Sequence, residues 1–171
     1  MLNQAQTSCV EAGNAAVEVP RPARRKGWKF THSGGDGRDD GRVRVLLVGT
    51  DEWAVQQLAP TLEREGLQVL TCHEPGEPAF PCNALRPDRV CPLDAGFDVV
   101  VTMRARSLER LAEGEFGVVC AVRTGRPLVV AGVAVESPLE PWAAQVVERG
   151  GDVASAARAA IAQAGSTART R

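Results

Sequence analysis

The stretch Arg42-Val-Arg-Val-Leu-Leu-Val-Gly-Thr-Asp-Glu-Trp53 reads as a strand running into a turn and then a helix. Val43, Val45, Leu46, Leu47 and Val48 form a mostly apolar run rich in β-branched residues, as a strand buried on both faces of a parallel sheet requires. Gly49 permits a sharp turn at the end of that strand. Thr50 or Asp51 is placed to cap the following helix, and Asp51 and Glu52 suit its positive end. In open α/β sheets ligands bind outside the carboxyl ends of the strands. Gly49, Thr50 and Asp51 are therefore the first residues expected to line a site.

Composition narrows the chemistry. A chain of 171 residues fits one domain with an appendage. At 44% hydrophobic it can build a core, and 4% aromatic with no tyrosine makes that core aliphatic. A net charge of -1 gives no global reason to expect nucleic acid or a membrane surface. Both lysines, Lys26 and Lys29, precede Val43, so the folded part can use neither a Schiff base nor a P-loop lysine. The only histidines are His32 and His73, which argues against a histidine-based triad or a two-histidine metal site in the domain. No apolar stretch reaches the about 18 residues a membrane span needs, and Met1 to Cys9 does not read as a secretory signal. The expected location is the cytoplasm, with the five cysteines free, metal-bound or redox-active rather than paired.

Residues 1–42 show no sustained periodicity and carry Pro20, Pro22, Gly34, Gly35, Gly37 and Gly41, the composition of a disordered leader. Within it, the basic and aromatic stretch 21–30 (Arg21, Arg24, Arg25, Lys26, Trp28, Lys29, Phe30) is the one place suited to nucleic acid or an acidic partner. From Asp51, the positions Trp53, Val55, Leu58 and Leu62 suit one helix face, Pro60 is expected to kink or split it, and Gly66 to end it. Leu67–Cys72 reads as a second strand. Residues 73–96, with five prolines, read as a long functional or disordered loop. Phe97–Met103 and Pro127–Gly132 read as strands, and Gln145–Glu148 as a short fifth. Helices are expected at Ser107–Glu113, Phe116–Arg123 and, capped by Asp152 and stopped by Gly165, Val153–Ala164. The domain thus spans residues 43–165, with a frayed tail at 166–171.

Five strands alternating with helices, opening with strand, acidic turn and helix, resemble the receiver domains of bacterial response regulators over roughly residues 42–164. The resemblance implies a three-layer open parallel sheet of flavodoxin-like order 2-1-3-4-5. The acidic pair that holds magnesium in a receiver corresponds to Gly49 and Thr50, with acids displaced to Asp51 and Glu52. The phosphoacceptor position corresponds to Thr102 or Met103, and the threonine or serine after the fourth strand to Ala131 or Gly132. The lysine after the fifth strand is absent. The resemblance therefore implies a pseudo-receiver that does not accept phosphate and acts in regulation or scaffolding through a protein partner.

Two other chemistries are expected to compete with that reading. Cys72, Cys82, Cys91 and Cys120 match no compact zinc spacing, but the 2-1-3-4-5 order puts the proline-rich loop and the Cys120 helix on one face of the sheet. Four thiols can converge there around zinc or an iron–sulfur cluster, with His73 as a spare ligand, making a redox sensor. Alternatively Gly49, Thr50 and Asp51, at a helix N-terminus, with Arg104 and Arg106 after the third strand, can hold a small anion or nucleotide.

Overall fold

The computed structural model describes residues 41–168 apart from 75, 81, 87, 88, 106–109 and 133–136. The expected leader up to residue 40, with its basic stretch 21–30, and Arg106 lie outside the described residues, as do residues 169–171 of the tail.

The strands are β1 (Arg44–Gly49), β2 (Gln68–Leu70), β3 (Val99–Met103), β4 (Leu128–Ala131) and β5 (Gln145–Val147). They form one all-parallel sheet in the order β2-β1-β3-β4-β5, a flavodoxin-like α/β arrangement. Among the described residues four helices accompany them: α1 (Glu52–Arg64), α2 (Pro92–Ala95), α3 (Phe116–Arg123) and α4 (Val153–Ala168).

Strand alternation sorts the core into two layers. Val45, Leu47, Val99, Val101, Val129 and Ala131 pack against Leu62 of α1 and against Ala154, Ala157 and Ala160 of α4. Leu46, Val48, Val100, Leu128 and Val130 pack against Val118 and Ala121 of α3. Leu70, Cys72, Leu93 and Leu111 pack against that second layer, partly buried. The long loop after β2 therefore lies on the α3 side, as its topology requires.

Several elements differ from expectation. Helix α1 is continuous through Pro60. An interior proline costs about 3 kcal/mol, and full burial of Leu62 with the packing of Ala54 and Leu58 offsets it at about 1.5–3 kcal/mol per large side chain. Helix α4 runs through Gly165 to Ala168. The loop after β2 holds a helical turn at Asn83–Leu85 and the short α2, each built on local Cys82 or Cys91 carbonyl acceptors. The helix expected at Ser107–Glu113 falls partly outside the described residues; Leu111 and Ala112 are not helical, and a tight turn occupies Glu113–Glu115.

Candidate functional site

The carboxyl ends of β1 and β3 meet at the turn into α1. Asp51 is the cap of α1, its Oδ1 accepting from Ala54 N–H at 3.1 Å. The Thr50 N–H donates to the Met103 carbonyl at 3.0 Å, tying the turn to β3. Gly49 is required by space: a Cβ there would stand 2.6 Å from both the Met103 carbonyl oxygen and Val55 Cγ2. The segment after β3 folds back over this place. A Cβ on Gly114 would collide with the Gly49 carbonyl, so the Glu113–Glu115 turn lies directly on the end of β1. The crevice between β1 and β3, where ligands of such sheets usually sit, is covered.

A buried polar network pins that cover. Thr102, Arg104 and Glu115 are 0%, 2% and 0% exposed. Arg104 Nε lies 2.9 Å from Glu115 Oε1, and its Nη2 donates to Glu115 Oε2 at 3.1 Å. Thr102 Oγ1 donates to Glu115 Oε1 at 2.9 Å, and Ala112 N–H to Oε2 at 3.1 Å. On its other edge the guanidinium donates to Ser137 Oγ at 2.8 Å and to the Arg110 carbonyl at 3.2 Å. An ion pair taken out of water survives only where further hydrogen bonds offset its desolvation, and Ser137, the Arg110 carbonyl, Thr102 and Ala112 N–H supply them here. Arg104 therefore serves as an internal clamp rather than lining an open rim with Gly49 and Thr50. Glu115 and Ser137 were not singled out in the sequence. The available signal was phase: Thr102 and Arg104 share the inward face with Val100, and an inward arginine demands an acid.

Beside this clamp a cavity of about 240 Å³ opens between the ends of β1 and β2 and the first turns of α1. Gly49, Thr50, Cys72 and His73 line it, with Glu52, Glu77 and Glu113; Asp51 and Arg104 do not. Glu77 accepts from Arg86 Nη1 at 3.3 Å and from Arg89 Nη2 at 3.2 Å. Thr50 Oγ1 and His73 Nδ1 are buried atoms without a hydrogen-bond partner among the described residues.

The four expected cysteines of the domain are free thiols. Cys72 is half-buried, with its Sγ over Gly117 of α3, where a Cβ would stand 2.9 Å away. Cys120 lies one helical turn beyond Gly117 and is exposed, Cys91 precedes α2 and is half-buried, and Cys82 is exposed. Burial pushes the Cys72 thiol from 9.0 up to about 12, and Cys82, Cys91 and Cys120 each add to the rise through like charge. Each of the three thus lies within electrostatic reach of Cys72. Among the described residues, however, no three His, Cys, Asp or Glu side chains are grouped so as to hold a metal ion.

Among the described residues no helix is long and apolar enough to cross a membrane. Compared with known proteins, the sequence matches no protein-family model and no curated protein.

Proposed function

We propose that this chain is a receiver-like module that does not accept phosphate and works by binding, in a regulatory or scaffolding role with a protein partner. The observation that carries the reading is the buried Thr102–Glu115–Arg104 network. It fills the end of β3, the place where a receiver carries its phosphoacceptor carboxylate, with a hydroxyl already committed to Glu115. The Glu113–Glu115 turn adds a cover that would bar a phosphoryl donor. Exposed apolar side chains supply something for a partner to bury: Phe116 and Val119 on one face of α3, and Phe80, Leu85 and Val90 on the loop after β2.

The test is incubation of the full chain with acetyl phosphate and magnesium. No hydroxylamine-labile phosphate is expected. Its appearance would overturn the reading.

A second reading is a redox sensor that binds zinc or an iron–sulfur cluster through Cys72, Cys82, Cys91 and Cys120; it requires these thiols to draw together, since no three ligating side chains are grouped among the described residues. Metal analysis and the absorption spectrum of protein purified without oxygen decide it. Bound iron with a brown colour supports a cluster and bound zinc a structural site, whereas metal-free protein removes the reading.

A further inference from the structure

We propose that the cavity between β1, β2 and α1 is a binding site for a small organic cation, an amine with a short apolar body. Three independent features of its wall point there. Its floor is aliphatic, formed by Leu47, Val48 and Val55. Thr50 and His73, from different loops, line the cavity, and their Oγ1 and Nδ1 are buried behind it without a partner among the described residues. Buried polar atoms are rarely left without a partner, and a turn of either side chain toward the cavity would offer a ligand a hydrogen bond.

The sign of the ligand follows from the charges around the opening. Glu52, Glu77 and Glu113 line the cavity and, among the described residues, no arginine or lysine does. Glu77 is balanced by Arg86 and Arg89, and among the described residues Glu52 accepts from the neutral Gln56 amide at 2.9 Å. Glu52 and Glu113, both exposed at the mouth, therefore set a negative potential. Among the described residues a phosphate or carboxylate would meet no counter-charge there, because Arg104 is held by Glu115. An ammonium group suits it. The cation is organic rather than a bare metal ion, since no three ligating side chains are grouped among the described residues. At about 240 Å³ the space is smaller than the about 300 Å³ at which drug-sized sites begin, which limits the body to a few carbons.

The experiment uses two isosteres of opposite charge, isoamylamine and isovalerate, with inorganic phosphate as a third probe. Each is titrated into the ¹⁵N-labelled full chain at neutral pH. Isoamylamine should shift the amides of Thr50, Glu52, His73 and Gly114 saturably, and the two anions should not. The double variant Glu52→Gln/Glu113→Gln, altered only at exposed side chains, should bind isoamylamine at least about tenfold more weakly, one charge-assisted contact being worth that much. Thr50→Val, which leaves the mouth charges intact, should weaken it severalfold. No saturable shift with the amine, equal shifts with isovalerate, or an affinity unchanged in the double variant would each overturn the proposal. None of those results bears on the acetyl phosphate test.

Discussion

Arg104 and Glu115 face each other side by side beneath the covered end of the sheet, Nε to Oε1 at 2.9 Å and Nη2 to Oε2 at 3.1 Å. Both side chains are withdrawn from solvent. Breaking a buried pair by removing one partner strands the other charge, at about 3–5 kcal/mol. Arg104→Met and Glu115→Leu should each lose stability of that order in urea denaturation. The double variant should lose less than either single one, because no unpaired charge remains. Independent, additive losses would show that the pair is not the clamp that holds the Glu113–Glu115 turn over β1.

At Gly117 helix α3 lies tight against the sheet. A Cβ there would stand 2.8 Å from Val48 Cγ1 and 2.9 Å from Cys72 Sγ. Both neighbours sit in the packed layer under α3, which limits how far they can give. Gly117→Ala should therefore destabilise by about 1–3 kcal/mol, the usual range for overpacking a core. Replacing the sulfur with a hydrogen in Cys72→Ala/Gly117→Ala should recover part of that loss. Thermal midpoints of the two variants and of Cys72→Ala alone measure the recovery. A neutral Gly117→Ala would mean that α3 can lift from the sheet at little cost.

The sheet was legible in the sequence because its strands are short, doubly buried apolar runs. Val45–Val48, Val99–Val101 and Leu128–Val130 each alternate between the two core layers, so either phase is apolar. Caps were legible as well, since Asp51 and Asp152 act within three residues of themselves. What was hidden depends on distance along the chain. Arg104 after a strand reads as a solvated rim residue until the turn 11 residues later brings Glu115 onto it. Pro60 reads as a break until the burial of Leu62 is known. Cys72 packs in the layer under α3, but Cys82 and Cys120 are exposed, which spacing alone does not foretell, and among the described residues no three ligating side chains are grouped to hold a metal ion. The cavity was half legible: Gly49 and Thr50 were expected at it, while the acidic character of its mouth came from Glu113, on a segment that reads as unrelated.

Cys72 should be the slowest thiol of the domain. Its pKa stands at about 12, raised first by burial and then by the three other cysteines. Little thiolate is then present at pH 8, and thiolate is the reacting form. Iodoacetamide should label the exposed Cys82 and Cys120 well before Cys72, and should label all three alike in denaturant. The same shift fixes an alkaline dependence. A folded pKa raised above the ordinary 9.0 contributes no loss below about pH 9 and a growing loss as pH rises toward about 12. Cys72→Ala should therefore lose less stability than the unaltered protein between those limits. Rapid native labelling of Cys72 at pH 8 would contradict its placement under α3.

The cap of α4 gives the opposite sign at the acid end. Asp152 Oδ1 accepts from Ser155 N–H at 2.9 Å and Oδ2 from Ser155 Oγ at 2.7 Å. These bonds, the backbone one foremost, hold its carboxyl below the ordinary 3.8, with smaller help from Ala154 N–H and Arg158. A depressed folded value means that the cap's contribution is complete above the unfolded value and disappears as pH falls through the folded one. Asp152→Ala should accordingly lower the thermal midpoint at pH 7, and the gap to the unaltered protein should close as pH drops below 3.8. Taking the difference between the two proteins cancels the titration of carboxylates they share. Because α4 packs Ala154, Ala157 and Ala160 against β3 and β4, loss of the cap should also speed amide exchange in its first turn. A gap that stays constant down to pH 2 would show that the Asp152 effect is steric rather than ionic.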